Sequence, residues 1–445
     1  MTIEGPPQPE QGTPHEDSGS ERVALRAAEL APQMIKTYED LHRHPEIGGQ
    51  EVETAARIKT ELERLGIEIV QEKIGNPAFG FKGTGIIARI RGKEDGPTVA
   101  LRADIDALPI TESKDHKVRS ENEGVSHACG HDAHIAGLLG ATELLKEYAE
   151  RGELPGDVIL LFQPSEESAV QKESGAVQMV QALERLGLRD EIKAFFGQHV
   201  FRSSERGKIN VKEGVLNASS GDFKIMLSGA GGHIMNAYEQ PNLNSIFSEV
   251  TMRLEEYFRP QSQEGRAHVA SSGPKLEGHS GNVLAAAGEA IWVVRIPHET
   301  YKEDREAIAE KIKQVVAEVV EKHDPKQKIN VSYKMRYGYR PVISRDKELV
   351  AIAEETAKKI IPDCENESKT LMGGEDFAFY AEELRGKTIP SVFMMVGAAN
   401  PSKGIPIGPH HTTDFQIDPD VIQDLAAIHA KFALTALEKL GQKKE

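Results

Sequence analysis

The run Thr98-Val99-Ala100-Leu101-Arg102, followed at once by Ala103-Asp104-Ile105-Asp106, decides the fold of this chain. Its apolar side chains do not alternate with polar ones, which marks a strand buried on both faces. A second such run, Val158-Ile159-Leu160-Leu161-Phe162, follows a helical stretch from Ile135 to Glu150. Strand, helix and strand in that order form a parallel crossover unit. The same grammar extends outward in both directions. Gly85–Ile90 and Ala194–Gln198 read as further buried strands. An amphipathic helix is expected from about Glu21 to Leu41, with Val23, Leu25, Leu30, Met34 and Ile35 as its apolar positions. His44-Pro45-Glu46-Ile47-Gly48-Gly49 breaks it, and a second helix follows from Glu51 to Leu65. Near the C-terminus the pattern gives a helix at Lys347–Lys359, a strand near Ser391–Val396 and a helix from Pro419 to Lys439. These elements define an α/β layered domain around a mostly parallel sheet.

Between about Ser219 and Arg336 the order changes. Strand (Phe223–Leu227), helix (Asn244–Phe258), strand (Ala267–Leu276), strand (Ala290–Ile296), helix (Glu303–Lys322) and strand (Ile329–Met335) form a β-α-β-β-α-β series. That is the ferredoxin-like α+β arrangement. The expected organisation is a disordered tail over 1–20, a large domain over 21–218 and 337–445, and an inserted small domain over 219–336.

Composition narrows the partners. A length of 445 residues exceeds one compact core. The net charge of −16 argues against nucleic acid or an anionic membrane surface. No apolar run is long enough to span a bilayer. Met1 to Ser20 is rich in Pro, Gly, Glu and Gln and lacks the apolar block of a secretory signal. The two cysteines, Cys129 and Cys364, fit a reducing compartment, so the cytoplasm is the expected location.

The chemistry concentrates in His127-Ala128-Cys129-Gly130-His131-Asp132-Ala133-His134. A thiol, three imidazoles and a carboxylate in eight residues form a metal-ligand set, where a lone histidine would read as a surface residue opening the next helix. Other polar clusters follow strands: Asp104 and Asp106, Glu166-Glu167, His199, and His410-His411. In an open α/β sheet the carboxyl ends of strands are where ligands bind, so these groups are expected to converge. Cys129, His131, Glu167, His199 and His411 suffice for two divalent ions if the thiolate bridges. Such a pair brings a water near neutral pKa and polarises a carbonyl. Glu166, beside a ligand, is then the natural general base and later acid.

With these residues in view, the chain resembles the dimetal amidohydrolase family of aminoacylases, hippurate hydrolases, carboxypeptidases and plant auxin-conjugate hydrolases. The stretches that carry the resemblance are Leu41–Glu46, Leu101–Pro109, His127–His134, Phe162–Glu167, Gly231-Gly232-His233, Gly374–Phe377 and His411–Phe415. The Cys-Gly-His form is that of the branch with hippurate and auxin-conjugate (IAA-amino acid) hydrolases. Other branches carry a metal-binding histidine where this chain has Asp104. The resemblance implies a mostly parallel-sheet catalytic domain with an inserted lid and dimerisation domain. It implies Cys129 as bridging ligand, Glu167 and His411 on one ion, and His131 and His199 on the other. The ions are expected to be zinc or manganese, with cobalt or nickel as further options. The spacing to Phe415 favours His411 over His410. Glu166 would be the base and Asp106 a carboxylate orienting the site. From the lid, His233 would polarise the scissile carbonyl while Asn282 and Arg295 contact the substrate. Relatives that dimerise through the lid bring this histidine to the partner's site, so a homodimer is expected.

The departures fall in the lid. After Gly-Gly-His the chain runs Ile234-Met235-Asn236-Ala237-Tyr238, without the Pro-His of the branch. Ala285 stands where Pro is usual, and Trp292-Val293 where Gly-Thr precedes the arginine. The expected activity is metal-dependent hydrolysis of the amide bond of an N-acyl amino acid or related conjugate. Alternatives are a dipeptidase or carboxypeptidase on free peptides, and a non-catalytic binding descendant. The intact ligand set and Glu166 speak against the last.

Overall fold

The computed structural model describes residues 18–168, 174–229, 231–278, 280–381 and 388–442. The expected tail lies outside these residues up to residue 17. Ser18, Gly19 and Ser20, assigned to that tail, instead open the first helix, Ser18–Arg43.

The central sheet has the order Glu68–Ile74, Gly85–Ile90, Asp157–Gln163, Thr98–Asp104, Ile192–Glu205, Ser391–Ala399, Lys208–Asn210 and Glu365–Asn366. Its middle is parallel: Thr98–Asp104 pairs in parallel with both Asp157–Gln163 and Ile192–Glu205, which pairs in parallel with Ser391–Ala399. Gly85–Ile90 and Glu68–Ile74 join antiparallel at one edge. Every residue of Thr98–Asp104 is buried, as the unbroken apolar run requires. Its side chains alternate between two cores. Val99, Leu101 and Ala103 enter the core shared with the helices Ser18–Arg43, His131–Glu150, Lys347–Ile360 and Val421–Gln442. Ala100 enters the opposite core, with Met179, Leu183 and Phe377. The edge strand Glu68–Ile74 and the helix Gly175–Arg185 were not expected. The strand's residues are mostly polar and only part-covered, so it lacks the apolar signature of its neighbours.

The region after Ser219 forms its own four-stranded antiparallel sheet. Its order is His268–Glu277, Ala287–Ile296, Ser219–Ser228 and Asn330–Tyr337. The helices Leu243–Gln263 and Tyr301–His323 cover one face, giving the β-α-β-β-α-β series and a separate core around Phe247, Leu254, Trp292 and Ile312. A small ribbon, Gly232–His233 against Val283–Leu284, projects from this layer.

Candidate dimetal active site

His127 to Gly130 precede the helix, but His131 to His134 begin it. His131–Glu150 starts four residues earlier than the apolar pattern indicates, so His131, Asp132 and His134 occupy its first turns and are all buried. Gly130 caps the start at φ 91°, and a Cβ there would lie 2.4 Å from a Val200 methyl. Glycine is required on both counts. His199 was expected just past the end of its strand, but the strand continues through it to Glu205. It still reaches the site, because the adjacent strand Thr98–Asp104 pairs only as far as Arg102 with Gly197.

Two donor groups result. Cys129, Glu167 and His411 form one; His131 and His199, with Asp104 and His134, form another. Cys129 lies between them, its Sγ 3.4 Å from both His199 Nε2 and His411 Nε2. Glu167 Oε1 is 3.0 Å from His411 Nε2 without hydrogen-bond geometry. Hydrogen bonds set which nitrogens are bare. His131 Nδ1–H donates to the Asp106 carbonyl at 2.8 Å, leaving its buried Nε2 without a hydrogen bond, 3.6 Å from Asp104 Oδ2. His199 Nδ1–H donates to the Val200 carbonyl at 2.6 Å, so its Nε2 lone pair faces Cys129. The Asp106 carboxylate accepts from the Glu167 amide at 2.9 Å and lies 3.2 Å from His131 Nδ1, so it ties both residues in place. Orphaned ring nitrogens and a carboxylate converging on a thiol are the donor set of a borderline divalent metal, and the residues fit two such ions.

The same logic separates the adjacent histidines. His410 Nε2 accepts the Arg202 amide at 3.1 Å, and burial lowers its pKa to about 3, so the ring is neutral with a proton on Nδ1. In that tautomer Nδ1–H points toward Cys129 Sγ, 3.8 Å away, although the ring stands close enough to Cys129 and His199 to group with them. His411 keeps its Nε2 toward Cys129 and Glu167, from a backbone held at φ 61°. That conformation is costly for a non-glycine residue, and such strain collects at functional sites. Ser165, at φ 50° immediately before Glu166, is held likewise.

His134 is not a free donor either. Its Nδ1–H lies 2.5 Å from Asp104 and its Nε2 accepts the Val200 amide at 2.8 Å. Asp104 in turn pairs with Arg102 at 2.7 Å, and Arg102 reaches Glu375 at 3.1 Å and Asp376 at 2.9 Å, all buried. Although burial opposes it, Arg102 with His131 and His134 holds the Asp104 carboxyl well below its usual range. This charge network was missed as a unit. Its signal was a lone Arg in a run otherwise buried on both faces, and the Glu-Asp pair of the Gly374–Phe377 motif.

Glu166 is buried, and among the described residues it has no salt bridge; its Oε1 accepts the Asp376 amide at 3.4 Å. Burial first, then Glu375, Glu167 and Asp376 close by, push this carboxyl well above the ordinary range. Burial and the nearby glutamates likewise push the Cys129 thiol up.

The lid residues lie apart from this centre. His233 and Asn282 come together on the exposed ribbon, where the Ile234 amide donates to the Asn282 carbonyl at 3.0 Å. His233 Nδ1 accepts the Met235 amide at 3.2 Å. Arg295 sits half-buried on Ala287–Ile296, its Nη1 donating to the Val294 carbonyl at 3.1 Å. None of the three shares a hydrogen bond or ion pair with the Cys129 centre. Of the departures noted in the lid, Trp292 and Ala285 are packed in the lid core, whereas Met235 and Tyr238 are exposed.

An α/β sheet with these donors at its strand ends and a ferredoxin-like insertion defines a metal-dependent hydrolase. Residues 100–435 match the model of peptidase family M20/M25/M40. N-acetylcysteine deacetylase of Bacillus subtilis is 32% identical over 407 residues, covering 92% of this chain and 97% of that protein. IAA-amino acid hydrolase ILR1-like 4 of Arabidopsis thaliana is 30% identical over 411 residues, covering 92% and 86%. The crystal structure of the Bacillus subtilis YXEP protein, described as a dinuclear metal binding peptidase from the M20 family, superposes with a TM-score of 0.72. It is 30% identical, with 92% of this chain and 99% of that one covered. The chain belongs to the M20/M25/M40 peptidase family and is a metal-dependent hydrolase of amide bonds. Among the described residues no helix is long and apolar enough to cross a membrane.

Proposed function

We propose that this chain hydrolyses the amide bond of an N-acyl amino acid or related conjugate, with Glu166 as general base. In this reading Cys129, Glu167 and His411 hold one divalent ion and Cys129, His131 and His199 a second, of zinc or manganese. Divalent ions in such a site supply an acidified water and polarise the carbonyl oxygen. Glu166 takes the proton of the attacking water and returns it to the amide nitrogen as the C–N bond breaks. Asp106 keeps His131 and Glu167 in register throughout. From the lid, His233 donates to the developing oxyanion, while Asn282 and Arg295 hold the substrate, Arg295 through a free α-carboxylate. A homodimer formed through the lid would bring His233 to the partner's site.

The observation that carries this reading is Glu166 itself: a buried carboxylate within 4.8 Å of the His131 and Glu167 donor atoms, yet paired with no cation among the described residues. A group so placed is raised in basicity and free to move a proton. The names of two relatives, a deacetylase of N-acetylcysteine and an IAA-amino acid hydrolase, favour acylated amino acids over free peptides. The description of YXEP as a peptidase keeps peptides as the second reading.

Glu166→Gln should keep its metal and lose at least ~100-fold in turnover on N-acetyl, N-benzoyl or indole-acyl amino acids. Glu167→Gln should lose metal. If both variants bind metal normally and only Glu167→Gln is inactive, the two roles are reversed.

A further inference from the structure

Beyond the Cys129 centre, a second polar cluster lies where the first helix ends. His42 Nε2 and His116 Nδ1 both contact one oxygen of Glu112, Oε1, each at 2.7 Å. The three donor atoms lie within 4.8 Å of one another. The other Glu112 oxygen accepts the Ser120 amide at 2.6 Å, which fixes the carboxylate plane. Behind His42, Nδ1 is 2.6 Å from Asp132 Oδ2. All four side chains are buried or nearly so. The reaction described above uses none of His42, Glu112 and His116.

We propose that His42, Glu112 and His116 form a further divalent-metal site of zinc type, separate from the catalytic pair. Two imidazoles and one carboxylate oxygen are the donors such an ion takes, with solvent completing the tetrahedron. The carboxylate of Asp132 behind His42 Nδ1 is the outer partner that metal-binding histidines ordinarily have, and it directs the Nε2 lone pair inward. Charge favours the exchange. Both ring nitrogens of His42 meet carboxylates, so without an ion the ring carries two protons, and Glu112 and Asp132 leave one negative charge over. A divalent ion that displaces the Nε2 proton brings the group to neutrality, with that proton released to solvent and the His116 proton on Nε2. The neighbouring cleft, lined by Glu112, His116, Ser120 and Asn122, gives an ion and its water a way in. Arg43, Lys114, Lys117 and Arg119 line the same cleft together with Glu121 and Glu123.

The site would join three pieces of chain: the end of Ser18–Arg43, the loop from Glu112 to Ser120, and the start of His131–Glu150. Through Asp132 it would brace the turn that presents His131. Its role is positioning and structural.

The test compares metal content, so it stands whether or not the catalytic reading holds. Wild-type protein and His116→Ala are equilibrated with zinc, freed of loose metal by gel filtration and analysed for zinc per chain. The expected result is one equivalent fewer in His116→Ala, and anomalous scattering at the zinc edge from wild-type crystals with a peak between His42, Glu112 and His116. Glu112→Gln, which keeps the side chain's shape, should lose the same equivalent. Equal zinc in wild type and both variants, with anomalous peaks at the Cys129 centre alone, would overturn the proposal.

Discussion

The Cys129 centre and the lid ribbon that carries His233 and Asn282 are built to opposite rules. At the centre the orienting nitrogens of His131 and His199 are spent on carbonyls, and buried carboxylates are tied to Arg102 or to backbone amides. Just after the ribbon, Met235 is 79% exposed and Tyr238 fully so, and among the described residues the His233 side chain bonds only within its own turn. The difference teaches that the groups proposed for the chemistry are preorganised, while those proposed for substrate contact sit on an exposed surface. Preorganised groups cost no rearrangement at the moment of reaction, whereas a lid has to move or find a partner.

Arg102 offers the largest way to break the comparison. Arg102→Met leaves Asp104, Glu375 and Asp376 buried without their cation, a loss of about 3–5 kcal/mol in denaturant unfolding. A variant as stable as wild type would mean that the centre is not rigid for the reason given. His233 tests the other half. The inactive variants Glu166→Ala and His233→Ala, mixed under subunit exchange, should recover roughly a quarter of wild-type sites if the histidine crosses a dimer interface. His233→Ala alone should weaken transition-state stabilisation by ~3 kcal/mol. No recovery despite confirmed exchange would keep the histidine within its own chain or out of the reaction. Arg295 gives the smallest effect. Arg295→Ala should raise KM for substrates with a free carboxylate and leave their amides nearly unchanged. Equal hydrolysis of acid and amide by the wild type removes the basis for that role.

Much of the centre was legible because clustered metal-type donors and buried strands leave dense signals. Cys129, His131 and Glu167 fall where their motifs and strand ends put them, and the parallel strands announce themselves by unbroken apolar runs. The ferredoxin-like insertion was legible from element order alone. What stayed hidden depends on tertiary partners. The helix start at His131 was missed because apolar periodicity begins only at Ile135, while its first turn is held by Gly130 and polar contacts. The true end of the His199 strand depends on Ser391–Ala399, which pairs with it through to Glu205, beyond the point where Thr98–Asp104 stops. Spacing to Phe415 already favoured His411 over His410, and the Arg202 amide on His410 Nε2 with the approach of His411 Nε2 to Cys129 supplies the physical difference. Trp292 reads as a change in the substrate pocket, but its side chain faces the lid core.

The central claim is tested most directly by removing and restoring metal. Protein stripped with EDTA should lose hydrolysis of N-acetyl amino acids, and titration with manganese or zinc should restore it, reaching a plateau at two equivalents at the Cys129 centre. To keep the count specific, the titration is run on His116→Ala. Full activity in the metal-free protein would contradict the account.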